Sequence, residues 1–362
     1  MAGTSLAYWL TRAGAAVSLY EPSGIGSHAS GFAFGTLPPS TFGNQYAGPL
    51  AVRAREEHVA LAGRLREESG VDHHFTDAKP YVELAFGDGR KAEVEAKLRS
   101  AAAERPAHPR ERVEWLDAEQ LRADEPRIGG GLAGGCVYHG TFQLSALELT
   151  RALWAAAERR GGVLARVEVA RLARDPGDAA RVVGVEHAGG VERADMVVLA
   201  NGVRITRFLN LPVAPIQGEI LQLESDQPPL RRIYFWGKND YVASKADGAI
   251  FAGTTEELKP DGPAPTAAAR AKIERSLAGA FPYLAGATLK RHTACLRPVS
   301  PDMLPLAGTI EGAPGLAVFG GAGRDGILQS PLVGRILADL LLEGRRDPLL
   351  AALDPLRFGG GG

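Results

Sequence analysis

The chain has 362 residues, and the 45% that are hydrophobic suffice for a large buried core, which favours two intertwined domains over one. Its 41 Lys and Arg residues nearly cancel its 42 Asp and Glu residues, so it lacks the basic field of a dedicated nucleic-acid binder. The two cysteines, Cys136 and Cys295, lie too far apart in sequence for a metal-ligand motif or a disulfide framework. We therefore expect no metal, no nucleic-acid partner and a reducing compartment.

The ends of the chain also favour a cytoplasmic protein. Met1 opens directly onto a mixed segment without the charged start and the apolar run of a signal peptide. The most apolar stretch, residues 316–342, is a poor membrane span because four charged residues interrupt it: Arg324, Asp325, Arg335 and Asp339. We expect no transmembrane segment.

The amino-terminal residues predict the second half of a βαβ nucleotide-binding unit. Residues 4–13 predict a helix with one apolar face, Gly14 ends it, and residues 16–20 alternate like a strand that stops at Glu21. In such units, glycines spaced G-x-G-x-x-G bring the backbone close to a pyrophosphate, and an acid further on binds the adenosine ribose. Gly3 stands where the third glycine belongs, whereas the first strand and the first two glycines are absent. An ordinary helix followed by an ordinary strand stays the alternative.

Hydrophobic spacing predicts the remaining elements in chain order. The first half gives a helix over residues 44–69, a strand over 81–86, a helix over 91–103, hairpins over 129–144, and a helix over 145–160 with Ser145 as its candidate cap. The second half gives a hairpin from strands 162–172 and 180–187, strands over 194–200, 219–224, 233–236, 241–244 and 249–253, a helix over 266–281, a strand over 316–319 and a helix over 331–342.

Three segments rich in small residues border these elements. Residues 24–35 consist largely of Gly, Ser and Ala, a composition that lets backbone amides approach a ligand closely. The strand over 194–200 runs into Asn201 and Gly202, a common ligand-facing edge in α/β sheets. A glycine-rich turn over 320–326 precedes the last helix. A strand, a glycine turn and a helix thus recur at both ends of the chain.

Taken together and in order, many short segments carry a resemblance over nearly the whole chain. They are Ala2-Gly-Thr-Ser-Leu-Ala-Tyr-Trp-Leu10, Glu21, Gly26-Ser-His-Ala-Ser-Gly31, Val167-Glu-Val169, Val197-Val-Leu-Ala-Asn-Gly202, Pro215-Ile-Gln-Gly218, Tyr241, Ala252-Gly-Thr-Thr-Glu-Glu257, Leu296-Arg-Pro-Val-Ser-Pro-Asp302, Leu304-Pro-Leu306 and Gly321-Ala-Gly-Arg-Asp-Gly-Ile327. In this order they resemble the D-amino-acid oxidase (DAO) superfamily of FAD-dependent oxidoreductases, and within it the glycine oxidase and sarcosine oxidase branch.

The resemblance implies an α/β fold with two domains. A doubly wound, Rossmann-like domain carries FAD, here without its first strand, and a second domain places the substrate under a mixed, mainly antiparallel sheet. The FAD-binding domain is expected to be discontinuous and to comprise residues 1–45, 145–212 and 297–350. The substrate domain is expected to comprise residues 46–144 and 213–296.

The same resemblance implies a set of residues at FAD. These are Ala2 and Gly3 at the pyrophosphate, Glu21 and Pro22 at the adenosine ribose, Gly26, Ser27, Gly31, Phe32 and Ala33 in the loop that passes the flavin, Val169 at the adenine, Ala200 and Gly202 beside the cofactor, and Ala322, Gly323, Arg324, Asp325, Gly326, Ile327 and Leu328 at the isoalloxazine. The helix start in the last group is suited to negative charge on reduced flavin.

Three side chains are implied at the substrate. Arg297 and Arg324 match positions where a cation holds the substrate carboxylate, because a guanidinium binds a carboxylate at two points and so orients the reacting carbon. Tyr241 matches a position that offers a phenol to the same carboxylate. An internal ion pair for either arginine, and a half-buried strand position for Tyr241, stay open. For Cys295, which precedes Arg297 by two residues, we expect a buried, inert thiol, with a covalent flavin link as the alternative.

The implied activity is FAD-dependent oxidation of a small amine or amino acid, of the glycine, sarcosine or D-amino-acid type, to an imine that then hydrolyses. Hydride transfer to flavin needs no dedicated acid or base, so no catalytic histidine is expected. Oxygen or a quinone would accept the electrons, and a homo-oligomer stays open. One alternative is oxidation of a carboxymethylaminomethyl group on modified tRNA uridine, because Leu353-Asp-Pro-Leu-Arg-Phe358 resembles the ending of that branch. The other is a truncated, inactive flavoprotein fragment.

Overall fold

The structure is a computed structural model that describes residues 1–359 except 78, 104–105, 246–247 and 260–261. Its α-helices are α1 (Ala2–Arg12), α2 (Ala29–Phe32), α3 (Asn44–Ala47), α4 (Pro49–Ser69), α5 (Gly87–Ala103), α6 (Ala118–Asp124), α7 (Ala146–Glu158), α8 (Ala267–Ala280), α9 (Gly326–Glu343) and α10 (Leu349–Ala352). Short 3-10 helices cover Ser40–Phe42, Gly202–Arg207 and Pro282–Gly286.

The strands of the described residues are β1 (Ser18–Tyr20), β2 (Thr36–Leu37), β3 (Thr76–Asp77), β4 (Tyr81–Phe86), β5 (Val113–Asp117), β6 (Leu132–Tyr138), β7 (Phe142–Gln143), β8 (Val163–Ala165), β9 (Val169–Arg174), β10 (Val182–His187), β11 (Gly190–Arg193), β12 (Val197–Leu199), β13 (Ala214–Glu224), β14 (Ile233–Trp236), β15 (Asp240–Ser244), β16 (Ile250–Gly253), β17 (Glu257–Leu258), β18 (Thr288–Val299), β19 (Leu306–Thr309) and β20 (Leu316–Gly320). Among the helices of these residues, none is both long and apolar enough to cross a membrane.

One large sheet dominates the structure. Nine of the described strands join it. Starting from β13, the strand order is β13-β16-β15-β14-β4-β6-β5. β17 pairs with the same edge of β13 as β16 does, and β18 pairs with the other edge of β13. Only β14 and β4 run parallel, and every other described pair in this sheet is antiparallel. The mixed, mainly antiparallel sheet predicted from the sequence is therefore confirmed.

Two small sheets with parallel pairs stand opposite the large one. β1 pairs with β8, and β12 pairs with β20, which continues antiparallel to β19. Within the described residues no strand bridges β1 and β20, although both pack against α1. The parallel pairs and the helices around them agree with the predicted α/β class.

Helix α1 packs closely on α9 because small and polar residues meet at the crossing. A Cβ at Gly334 would overlap the Ser5 hydroxyl, so glycine permits the approach. The Ser5 hydroxyl donates to the Ser330 carbonyl at 2.7 Å, and the Trp9 indole donates to the Pro331 carbonyl at 3.0 Å. This contact places the first residues of both helices on one side of the molecule.

Several predicted elements are corrected by the structure. Residues 162–172 form two strands, since β8 pairs in parallel with β1 and only β9 forms the hairpin with β10. Residues 129–144 form no hairpin: β6 lies between β4 and β5, and β7 pairs with β2 and β3. The helix predicted over 44–69 breaks at Gly48, and Pro49 starts α4.

The predicted cap of α7 is confirmed, because the Ser145 hydroxyl accepts a hydrogen bond from the Glu148 N–H.

Candidate active site

A cavity of about 1930 Å³ lies between the small sheets and the large sheet. It exceeds the roughly 300–1,000 Å³ of most small-ligand pockets and so has room for a dinucleotide together with a substrate. The start of α1, the ends of β1, β12 and β20 and the start of α9 line one side. β14, β15 and β18 contribute to the other.

The start of α1 presents backbone N–H groups that can bind an anion. The first helical bond runs from the Ser5 N–H to the Met1 carbonyl at 2.9 Å, so the N–H groups of Ala2, Gly3 and Thr4 have no helical acceptor. All three residues line the cavity. A Cβ at Gly3 would lie 3.3 Å from Ala200 Cβ, so glycine keeps this helix start close to the end of β12. Free amides at a helix start fit a pyrophosphate.

Most of the other residues implied at FAD also line the cavity. They are Glu21, Pro22, Gly26, Ser27, Phe32, Ala33, Val169, Ala200, Gly202, Ala322, Gly323, Arg324, Asp325, Gly326, Ile327 and Leu328. Glu21 stands directly after β1, and one of its carboxylate oxygens accepts from the Ser23 N–H at 2.8 Å. Gly31 lies behind the lining, where a Cβ would overlap the Gly26 carbonyl. Glycine therefore lets the loop fold tightly here, and a contact of Gly31 with FAD stays a prediction.

The start of α9 forms the opposite end of the cofactor side. Asp325 precedes this helix without capping it through its side chain, and instead accepts from the Tyr46 hydroxyl at 3.3 Å. Burial raises the pKa of Asp325 to about 6, although the Tyr46 hydrogen bond and the Arg324 charge act in the other direction. No sequence pattern points to Tyr46, which approaches only because α3 and α9 fold together.

Arg297 and Tyr241 bring two unpaired donors into the cavity. Arg297 Nη2 donates to the Thr254 hydroxyl at 3.3 Å, whereas its Nη1 is buried without a hydrogen-bond partner in the described part of the chain. The buried Tyr241 hydroxyl has none there either. Burial raises the pKa of Tyr241 above its usual value, with the Arg297 charge opposing, so the phenol keeps its proton. Two buried donors without acceptors fit a ligand that carries a carboxylate.

Two glycines make room for these side chains. A Cβ at Gly218, which pairs with Cys295 across β13 and β18, would overlap the Arg297 guanidinium. A Cβ at Gly253, which pairs with Tyr241 across β16 and β15, would lie 2.9 Å from the tyrosine ring. Both glycines stand in segments singled out in the sequence, but their contribution depends on which strands pair.

Arg324 has a different environment from Arg297. Its Nε donates to the Glu256 carboxylate at 2.6 Å, and its Nη2 donates to the Asn239 side-chain oxygen at 2.9 Å. The side chain is 47% exposed. Arg324 thus borders the cavity with its donors engaged, and its place at the substrate stays a prediction.

Cys295 faces the cavity beside Arg297 and Tyr241. Its buried thiol lies two residues before Arg297 on β18, and burial raises the pKa of the thiol. A raised pKa lowers the thiolate fraction, which favours the inert role over a covalent link. This assignment stays a prediction.

The comparisons with known proteins agree with this geometry. A bifunctional protein ThiO/ThiG of Nostoc sp. is 32% identical over 83% of this chain, which spans only 45% of that relative's length. Glycine oxidase of Geobacillus kaustophilus is 29% identical over 94% of this chain and 90% of the relative. The glycine oxidase of Pseudomonas aeruginosa is also 29% identical, and the match covers 94% of this chain and 92% of that relative's length.

Solved structures show the same architecture. The crystal structure of glycine oxidase from Geobacillus kaustophilus superposes with a TM-score of 0.86 at 28% identity, covering 98% of this chain and 96% of the other. That of glycine oxidase from Bacillus cereus gives 0.85 at 26% identity, with 97% of each chain covered. A sequence model of FAD-dependent oxidoreductases matches residues 1–340. Since that match spans nearly the whole chain, the chain belongs to the DAO family of FAD-dependent oxidoreductases.

Proposed function

We propose that this protein oxidises a small amino acid or carboxylate-bearing amine to an imine, which water then hydrolyses. The observation that carries the proposal is the pair of buried donors, Arg297 Nη1 and the Tyr241 hydroxyl, which lack acceptors among the described residues. A substrate carboxylate supplies both acceptors. The similarity to glycine oxidases supports a substrate of this size.

The residues of the cofactor side fit FAD. The free amides of Ala2, Gly3 and Thr4 would hold the pyrophosphate, Glu21 the ribose, and the loop before α9 the flavin end. When bound, FAD accepts a hydride from the carbon that carries the amine. The protein's own part is then orientation, because a carboxylate fixed at two points leaves the carbon little freedom to turn away from the cofactor.

Arg297 is itself held in place for this task. Its Nη2 bond to the Thr254 hydroxyl fixes one side of the guanidinium, and Thr254 is fixed in turn because its hydroxyl donates to the Glu219 carbonyl at 3.0 Å. The remaining Nη1 is left for the ligand. A positioned guanidinium loses little freedom when it binds a carboxylate, which supports its assignment as the substrate clamp.

The electrons would pass from the cofactor to oxygen or a quinone, and we propose a cytoplasmic location, which the two free, buried cysteines support. The tRNA alternative rested on the ending Leu353–Phe358. There the Arg357 guanidinium donates to both carboxylate oxygens of Asp302 at 2.8 Å, so this ending has a packing role that requires no nucleic acid. No observation favours the tRNA alternative over amino-acid oxidation.

The proposal is tested with purified, FAD-loaded protein under anaerobic conditions. Glycine, sarcosine and several D-amino acids are added in turn, and the visible absorption of oxidised flavin is followed. Loss of that absorption with at least one of them supports the proposal. A protein that binds FAD but is reduced by none of them contradicts the proposed substrate class, and one that retains no FAD contradicts the proposal as a whole.

A further inference from the structure

Aromatic rings line the cavity beside the proposed substrate clamp, Arg297 and Tyr241. We define the aromatic wall as Phe34, Phe42, Tyr81 and Phe235, all of which line the cavity. The ring centres of Phe34 and Phe235 lie 5.0 and 5.9 Å from that of Tyr241. Phe42 and Tyr81 continue the surface, with ring centres 5.5 and 4.9 Å from Phe235. A ligand held at the Tyr241 hydroxyl therefore has apolar surface directly beside it.

The wall leaves apolar surface exposed to the cavity. Phe34, Phe42 and Phe235 are only partly buried, although each packs against other rings. On Phe34, the Lys245 ammonium covers the ring at 4.1 Å from its centre, and Phe251 packs behind it with ring centres 6.1 Å apart. Neither Lys245 nor Phe251 belongs to the described cavity lining. Among the described residues, the cavity side of the wall is therefore formed by the rings themselves.

The Glu83 carboxylate next to the wall is already paired. The Glu83 carboxylate accepts from Arg90 Nη2 at 2.5 Å and from Lys97 Nζ at 2.6 Å. An ionic substituent that reached Glu83 would compete with an existing ion pair, whereas an apolar one would gain contact with the rings of the wall. The rings of the wall therefore favour an apolar substituent over an ionic one.

We propose that the aromatic wall binds an apolar substituent larger than a methyl group, carried by the amino acid whose carboxylate Arg297 and Tyr241 hold. The inference rests on the proposed function and narrows its substrate class. The substituent stands either on the carbon that carries the amine or on the nitrogen, and both positions lie within one side-chain length of the carboxylate. Glycine leaves the wall facing water, so the buried apolar area that strengthens binding is lost.

Reduction kinetics under anaerobic conditions test this preference. Glycine, sarcosine, D-phenylalanine and N-benzylglycine are compared with the FAD-loaded protein. We expect kcat/KM for one of the two benzyl-bearing substrates to exceed that for glycine by about tenfold or more. D-Phenylalanine places the ring on carbon and N-benzylglycine places it on nitrogen, so the faster of the two identifies the attachment. A higher kcat/KM for glycine or sarcosine overturns the inference but leaves the proposed function intact, whereas no reduction by any of the four counts against both.

A matched pair of variants assigns the effect to the wall. Phe235→Ala removes a wall ring, and Phe251→Ala removes a ring that packs behind the wall. We expect Phe235→Ala to raise KM for the benzyl-bearing substrate about tenfold more than it raises KM for glycine, with little effect of Phe251→Ala on either. Phe235→Leu, which keeps most of the volume, serves if the alanine variant does not fold.

Binding without turnover gives an independent readout. Phenylacetate and acetate share the carboxylate but only phenylacetate carries a ring, and calorimetry gives their affinities for the FAD-loaded protein. We expect phenylacetate to bind about tenfold tighter than acetate, and Phe235→Ala to remove that advantage. Equal affinities, or an equal loss in Phe251→Ala, would show that the wall does not contact the substituent.

Discussion

Arg297 can lie where it does because Gly218 has no side chain. A Cβ at Gly218 would overlap the guanidinium, which would have to leave its hydrogen bond with Thr254. A flexible side chain can move, so the fold should survive while the clamp loses its geometry. At the scale of single residues, the absence of a side chain at Gly218 thus leaves the space that the Arg297 guanidinium occupies.

We predict that Gly218→Ala raises KM for the carboxylate substrate by about tenfold to hundredfold, since a charged hydrogen bond of about 1.5–3 kcal/mol is weakened. Steady-state kinetics measure the effect. Gly63→Ala in α4 is the control, because a Cβ there meets nothing within 4 Å and should change KM little. An unchanged KM in Gly218→Ala would count against the role of Arg297 as the clamp.

Asp325 predicts a pH dependence of stability. Its pKa rises from an ordinary value of 3.8 to about 6 in the folded protein, so between those values the folded state holds a proton that the unfolded chain releases. The free energy of unfolding therefore falls as the pH rises through this interval and stays reduced above it. Partial exposure to solvent limits the effect to about 1–2 kcal/mol.

We predict that Asp325→Asn, which keeps a partner for Tyr46, is more stable than the parent by about 1–2 kcal/mol at pH 7 and nearly equal in stability near pH 4. Urea unfolding at several pH values measures the difference. A stability difference that does not change with pH would rule out the buried proton.

Helix α9 contains Pro331, and His58 compensates for it. Proline has no N–H, so the Ile327 carbonyl lacks its usual helical donor. His58 Nε2 on α4 lies 3.0 Å from that carbonyl and 3.1 Å from the Leu328 carbonyl, so it donates there. Burial lowers the pKa of His58 to about 4, which keeps the ring neutral at neutral pH. At the scale of secondary-structure elements, this contact ties α4 to the start of α9 at the cofactor side.

A double-mutant cycle tests this pairing between the two helices. His58→Ala should destabilise the protein by about 1–3 kcal/mol because a buried carbonyl loses its donor. In the Pro331→Ala background an N–H returns to residue 331, so the same mutation should cost about 1 kcal/mol less. Urea unfolding of the four proteins gives the coupling, and strictly additive effects would show that His58 does not serve the Ile327 carbonyl.

At the same scale, local pattern explains which elements can be predicted from the sequence. Helices α1, α7 and α8 and strands β4, β12 and β14 have regular apolar spacing, and the cap at Ser145 depends on only four residues. Strand β18 escapes prediction because polar and charged residues alternate irregularly along Thr288–Val299, and its stability comes from pairing with β13. The spacing of apolar residues within one segment cannot predict which distant strand that segment pairs with.

The candidate site was predictable only through the resemblance. Arg297 and Tyr241 lie 56 residues apart in the sequence. Arg297 contacts Gly218, and Tyr241 contacts Gly253, only because the strands that carry them pair. The aromatic wall draws on a loop, a 3-10 helix and two strands, so no sequence window shows it. Only the tertiary structure brings the glycines next to Arg297 and Tyr241 and joins the four rings of the wall.

At the scale of the whole molecule, the residues proposed to bind the cofactor and those proposed to bind the substrate line opposite sides of one cavity. Helix starts and glycine loops on one side fit FAD, whereas the large sheet contributes the proposed substrate clamp, Arg297 and Tyr241, and two of the four wall rings on the other. The division into discontinuous domains stays a prediction, and β18 crosses its proposed boundary at residue 297. Catalysis by this arrangement requires both sides to hold their ligands at once.

The most direct test of the clamp compares an amino acid with the amine that lacks its carboxylate. Sarcosine and dimethylamine are offered to the FAD-loaded protein and to Arg297→Met under anaerobic conditions, and the rate of flavin reduction is measured. We predict that the parent protein prefers sarcosine by about a hundredfold or more and that Arg297→Met loses most of this preference. Equal preference in the two proteins would contradict the assignment of Arg297 as the clamp.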